Sequence, residues 1–169
     1  MNRDQLQAAQ RPLKQSYAEN PDEALVTLSA QASLGDGVSC SVQTGQAMVA
    51  AGLHPATGGT GLMACSGDML LQALAACAGV TLSAVATSLE IPVRSGTISV
   101  EGDLDFSGTL GVRKGAPVGF TDIRVQFDLE SSAEPESLEL LAKLTERYCV
   151  VFQTLVSSPS VSLEVAARG

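Results

Sequence analysis

The sequence predicts an α+β fold with mostly antiparallel strand pairing, and three observations carry the prediction. Several segments alternate apolar and polar residues one by one, as half-buried strands do, and turn residues join them in pairs. One long uncharged run, Met69 to Leu89, has the length and spacing of a buried helix. The order along the chain is strands, central helix, strands, helix, strand, with no regular βαβ alternation. At 169 residues the chain suits one domain with a real core, which we place at residues 24–169 behind an N-terminal extension of residues 1–23.

Residues 2–17 fit a short amphipathic helix ended by Asn20–Pro21. "ALVTLSAQAS" then alternates, with Val26, Leu28, Ala30 and Ala32 on the inner face. "GDG" at 35–37 is a turn, and "VSCSVQT" alternates again with Val38, Cys40 and Val42 inward, so residues 24–44 read as a β-hairpin. "MVAAG" adds a third short strand, and "GLHPATGGTG" is a loop. The long helix follows, and Pro92 stops it. "GTISVEGDLDFSG" and "VGFTDIRVQFDLE" are two further strands joined by a hairpin loop, "GVRKGAP". "AEPESLELLAKLTERYC" opens on acidic residues and Pro135 and carries Leu138, Leu141 and Leu144 at helical spacing. "VVFQTL" is a second helical piece, and "SVSLEV" at 160–165 a last strand.

Composition narrows the function. The net charge of −8, with no Lys/Arg cluster, argues against a nucleic-acid groove and an anionic membrane surface. Aromatic residues make up only 4% of the chain, too few for a base-stacking platform. The polar N-terminus lacks the apolar stretch of a secretory signal, so a cytoplasmic location is expected, where the four cysteines are thiols or redox groups. The Met69–Leu89 run is long enough to span a membrane. Its Ala content, its Gln, Ser and Thr residues and its lack of basic flanks favour a helix inside a soluble protein.

Within that helix Leu71, Leu74, Leu82, Val85 and Leu89 form a broad apolar face, while Ala75, Gly79, Ser83 and Thr87 form a row of small residues. Such a row admits close approach of another backbone, either a sheet of the same chain or the same helix of a second copy. Cys77 shares a side with Leu70, Ala73, Thr81 and Ala84. Residue type alone leaves it as a small core hydrophobe. Chemistry there requires a cation, or another electrostatic source, supplied by the fold. Cys149, 72 residues later at a helix–helix junction, leaves the same choice open. There is no C-x-x-C, and His54, Cys40 and Cys65 do not make a zinc spacing, so no metal is expected. A Cys–His site would need His54, whose loop context equally fits a solvent-facing residue.

Four pieces, "HPATGGTG", "GDMLLQALAACAG", "VEGDLDFSG" and "RYCVVFQTL", resemble in their order the OsmC-like family of osmotically inducible and organic hydroperoxide resistance proteins. The resemblance spans roughly Ala24 to Val165. It implies antiparallel sheets wrapped around central cysteine-bearing helices in an intertwined homodimer. It implies Cys77 as the peroxidatic thiolate toward an organic hydroperoxide and Cys149 as the resolving thiol, under an apolar pocket at the dimer interface. A dithiol reductant, lipoyl-based in better-known relatives, would regenerate the pair, with no metal or bound organic cofactor. The family pattern also has an activating Arg from an early loop and a Glu ten residues before the first cysteine. Here "GGTG" holds no Arg, Gly67 occupies the Glu position with Asp68 one later, and Val150 stands where Pro often follows the second cysteine. The second function carried by the sequence is a non-catalytic dimeric stress-related or small-molecule-binding protein on the same fold.

Overall fold

The computed structural model describes residues 2–20, 24, 25, 27, 32–34, 39–44 and 47–167. Helix α1, Arg3–Glu19, begins with a reciprocal capping box: the Gln5 N–H donates to Asn2 Oδ1 (2.9 Å) and the Asn2 N–H to Gln5 Oε1 (3.0 Å). It ends at Asn20 and lies against the central helix, where Arg3 pairs with Glu90 at 2.5 Å.

Strands β1 (Ala32–Leu34), β2 (Ser39–Thr44), β3 (Ala47–Gly52) and β4 (Ala64–Cys65) form a sheet in that order. The first two pairings are antiparallel, with Ala32 opposite Val42 and Val42 opposite Val49. Thus the hairpin stands at Ala32–Leu34 and Ser39–Thr44, and so does the third strand, whereas Ala24, Leu25 and Thr27, which the hairpin reading included, are not strand. The inward faces expected for Val26, Leu28, Ala30, Ala32, Val38, Cys40 and Val42, and the turn at 35–37, lie outside the described side chains and residues. The expected loop holds one 3-10 turn, Pro55–Thr57, and ends in β4, which pairs parallel with β3, a short exception to the antiparallel rule.

The central helix α2 runs from Ser66 to Leu89. Its residues are mostly strong helix formers, and its end is set by Glu90 in the left-handed conformation (φ 55°), with the Glu90 and Ile91 N–H groups both bonding Ala86 C=O and Pro92 next in sequence. The buried row is Leu74, Ala78, Leu82 and Ala86, one residue every four. Leu71 and Val85 are half-buried and Leu89 is exposed, so the packed stripe is narrower than the broad face the sequence suggests.

Strands β5 (Val93–Leu104) and β6 (Phe120–Ser131) form a second, antiparallel sheet, with Ile98 opposite Phe127 and Val100 opposite Val125. Their alternation puts Ile98, Val100, Ile123, Val125, Phe127 and Leu129 onto the α2 row. The outer face is charged: Arg124 pairs with Asp103 (2.6 Å), Asp122 (2.7 Å) and Glu101 (3.5 Å). The sequence extends the first of these strands to residue 108. Instead the Asp105 carboxylate accepts from the Ser107 N–H (3.0 Å) and hydroxyl (2.6 Å), which turns the chain into a single helical turn, α3 (Phe106–Thr109).

Helix α4, Pro135–Tyr148, and helix α5, Val150–Val156, complete the fold. Leu141 is fully buried against Leu82 and Ala86. Burying Leu74, Leu82 and Leu141 contributes about 1.5–3 kcal/mol each. The second buried position on α4 is Thr145, not Leu144; its hydroxyl is satisfied by Leu141 C=O at 2.8 Å. The last expected strand is absent. Residues 160–165 alternate, but no described strand pairs with them, and Val161, Leu163 and Val165 are 89%, 86% and 86% exposed.

Candidate active site

Cys149 sits where α4 stops and α5 starts. Its N–H still bonds Thr145 C=O (2.9 Å) and its C=O already accepts from the Gln153 N–H (2.9 Å), but its own backbone is extended (φ −72°, ψ 107°). Gln153 Nε2 braces the joint by donating to Glu146 C=O at 2.9 Å. A helix that restarts in this way leaves its first N–H groups without helical acceptors. Those of Val150, Val151 and Phe152 meet the sulfurs of Cys77 and Cys149.

Cys77 comes to the same place from mid-α2. It packs against Leu74, Ala78 and Cys149, with Val151, Phe152 and Leu155 of α5 around the cluster. Cys149 is buried and Cys77 half-buried, and both are free thiols. Burial alone would push the Cys77 thiol up. The Val151 N–H, the Cys149 thiol, the Thr81 hydroxyl and the Val150 N–H all bond its sulfur and more than offset that, so Cys77 lies below the ordinary thiol value. For Cys149, burial wins. The N–H groups of Phe152 and Val151 offset it in part, while the neighbouring Cys77 sulfur adds to it, and Cys149 is held above the ordinary value. The two sulfurs are therefore shifted in opposite directions, Cys77 down and Cys149 up, with the Cys149 thiol donating to Cys77.

No Lys or Arg acts on Cys77 among the described residues. Arg94, in β5, pairs with Glu130 at 3.2 Å; Arg113 pairs with Asp105; Arg124 faces three carboxylates on the outer sheet face; Arg147 lies over the Tyr148 ring at 5.6 Å. Asp68 is exposed in the first turn of α2 and is not among the groups acting on the cysteine. The electrostatic source is the backbone of α5 together with Thr81. Sequence reasoning put Thr81 on the side of Cys77 but gave it no role, and it missed the amides. The available signal was Val150: a residue other than proline after Cys149 keeps its N–H.

The remaining candidates lie elsewhere. Cys65 is the N-cap of α2, about 18 Å along the helix axis from Cys77 by its rise per residue, and its side chain caps nothing. With His54 it borders a separate cavity of about 410 Å³ walled by Leu70, Leu104, Phe106 and Phe120. His54 Nδ1 accepts from the Ala56 N–H (3.1 Å), and its ring stacks on Phe106 at 4.7 Å. The Cys40 side chain lies outside the described ones. Among the described residues no group of three or more His, Cys, Asp or Glu is placed to hold a metal.

By length and composition α2 could cross a membrane, but it packs as a core helix against β5, α4 and α5. Only 22% of its apolar window is buried by this chain, and Val80 is 72% exposed. The small row does not lie wholly free. Gly79 faces Ile98 of the same chain, where an added Cβ would lie 3.5 Å from the Ile98 side chain.

An OsmC-like protein of Mycoplasma pneumoniae has a similar fold, with a TM-score of 0.66 at 16% identity over 79% of this chain and 89% of that one. An organic hydroperoxide resistance protein OsmC of Legionella pneumophila is similar at a TM-score of 0.61, with 16% identity over 79% of this chain and 91% of that one. An organic hydroperoxide resistance protein of Elizabethkingia anophelis gives 0.56, with 15% identity over 79% and 91%. No curated protein matches the chain in sequence. The family model described as OsmC-like protein matches residues 59–164, which hold α2, both long strands, α4, α5 and both sulfurs of the site, and the chain belongs to that family.

Proposed function

We propose that the protein reduces organic hydroperoxides with the Cys77–Cys149 pair. The observation that carries this reading is the packing of Cys77 on Cys149 at the restart of α5, and the lowering of Cys77 beside a raised Cys149 supports it. The Cys77 thiolate attacks the distal oxygen of the peroxide, the O–O bond breaks, and the alkoxide leaves to become an alcohol. Cys77 is left as a sulfenic acid. Cys149 then attacks the Cys77 sulfur, a disulfide forms and water departs. A dithiol reductant returns both sulfurs to thiols. The activity fits an antioxidant role in a reducing, cytoplasmic setting, where Cys65, Cys77 and Cys149 stay free.

The working unit in this proposal is a homodimer. The exposed α2 face at Ala73, Ala76 and Val80 is apolar and uncovered by its own chain, and a second copy is its natural cover. Light scattering at micromolar concentration is expected to report a dimer, and a monomer would remove this part. The chemistry is tested by peptide mapping after one equivalent of cumene hydroperoxide. A Cys77–Cys149 disulfide is expected. Linkage through Cys65 or Cys40 would refute the assignment. No reaction at all would favour the binding-protein reading, for which the apolar cavity beside His54 is the supporting feature.

A further inference from the structure

The joint between α4 and α5 exchanges one hydrogen bond of a continuous helix for another. In an unbroken helix the Val150 N–H would donate to Glu146 C=O, four residues back. On either side of the break that pattern holds: the Cys149 N–H bonds Thr145 C=O and the Gln153 N–H bonds Cys149 C=O, each at 2.9 Å. Between them the extended backbone of Cys149 turns the Val150 N–H away, and it meets the Cys77 sulfur. Glu146 C=O then lacks its helical donor, and Gln153 Nε2 donates to it instead, at 2.9 Å. The side chain reaches back seven residues, about two turns, to a carbonyl in the last turn of α4. A thiol sulfur is a weak acceptor. An unoccupied Glu146 C=O would therefore compete with Cys77 for the Val150 N–H. If the carbonyl won, the N–H groups of Val151 and Phe152 would fall into line with Arg147 C=O and Tyr148 C=O, and both sulfurs would lose their donors.

We propose that Gln153 is a positioning residue for the thiol pair: its side-chain amide takes the place of the Val150 N–H on Glu146 C=O, and so keeps the helix broken and the first amides of α5 turned to Cys77 and Cys149. The inference rests on the pair acting as proposed above. Gln153 acts through the backbone and not on the reacting atoms. The residue type suits the role, because glutamine joins good helix propensity to the reach and the neutral N–H donor that the carbonyl needs, while methionine has the propensity and length without the donor. The surroundings leave the effect readable. β5, β6 and α5 turn apolar side chains onto the pair, Ile98 and Phe127 among them, and α4 brings Lys143 and Glu146 to the outer side of Cys149 with both exposed. Among the described residues the titratable group acting on Cys77 is Cys149.

The test follows the pH midpoint of Cys77 alkylation by iodoacetamide in the fully reduced protein, with the adduct located by peptide mass mapping. Gln153→Met keeps length and helix propensity and removes the donor; Gln153→Ala removes the reach as well. With the fold checked by circular dichroism, each is expected to raise the midpoint by about one pH unit or more, the size of one lost hydrogen bond to a charged group. An unchanged midpoint in either would overturn the proposal. Val150→Pro supplies the second arm. Proline has no N–H to give to Glu146 C=O and keeps Cys149 out of the helical region, so it holds the break open without Gln153. In that background Gln153→Met is expected to add no further rise. A further rise as large as in the wild-type background would overturn the proposal, because Gln153 would then act by a route other than the break. Alkylation uses no peroxide. A protein that shows these shifts and reduces no hydroperoxide would keep the positioning role and lose only the function proposed above.

Discussion

Cys65 caps the helix that carries Cys77 twelve residues later, and their surroundings separate two kinds of cysteine. Cys65 stands at the start of α2 beside an apolar cavity, as half-buried as Cys77, and it is not part of the cluster in which Cys77 packs on Cys149. Cys77 lies mid-helix, where the helix's own amides are spent on its own carbonyls. Everything that prepares Cys77 arrives from another segment: a partner thiol from Cys149 and free N–H groups from the restart of α5, joined only by Thr81 from α2 itself. The start of a long helix is thus not where the thiol pair is built. The pair is built where a second helix breaks and restarts against the first.

The comparison predicts its own tests, largest effect first. Cys77→Ser should reduce hydroperoxide consumption to background, whereas Cys65→Ser should leave it unchanged. Coupled peroxide assays on both proteins check this, and equal losses would erase the distinction drawn here. Cys149→Ser should permit one turnover and then stop. Mass spectrometry after a peroxide pulse should find Cys77 as sulfenic acid, moving up the oxidation ladder with further peroxide. A Cys149→Ser protein that folds but carries no adduct on Cys77 would refute the role of Cys77.

Thr81→Val removes one hydrogen bond to a charged sulfur while nearly keeping shape, and should slow the reaction at neutral pH roughly tenfold. The sign follows from the lowered Cys77 value. The wild-type rate is level above that value and falls as pH drops through it. The stabilisation gained from the thiolate is present above the unfolded thiol's pKa and is lost as pH falls through the folded one. Thr81→Val should move the midpoint of the rate profile upward, measured by the pH dependence of Cys77 alkylation. A midpoint that stays put would leave Thr81 as packing. The smallest effect belongs to Val150→Pro. The extended backbone of Cys149 suits a residue before proline, and the first helical position tolerates proline, so the variant should fold. It deletes the weakest of the four donors to Cys77 and should raise that midpoint less than Thr81→Val does. A larger rise would mean that the α5 backbone dominates the site.

Much of the chain was legible in order. The strand alternation of "FTDIRVQFDLE" reads directly because one face of β6 is buried and the other carries Arg124, Gln126 and Asp128. The long helix reads because no charge interrupts it. The pattern misled where a local bond or a missing partner decided. Asp105 capped a turn and ended β5 early, and residues 160–165 keep a strand's alternation without a strand to pair with among the described residues. The two cysteines were named from their places in family motifs, but the source of activation was sought among arginines and the structure supplies backbone amides.

What the sequence determined by itself was the α+β class and the position of the central helix. These depend on periodicity and residue type, which are local properties. Only the tertiary structure decided which thiol is shifted down and which up, because that depends on where the free N–H groups of a restarted helix point. Backbone amides are identical at every residue but proline, so no residue letter announces one that is aimed at a sulfur.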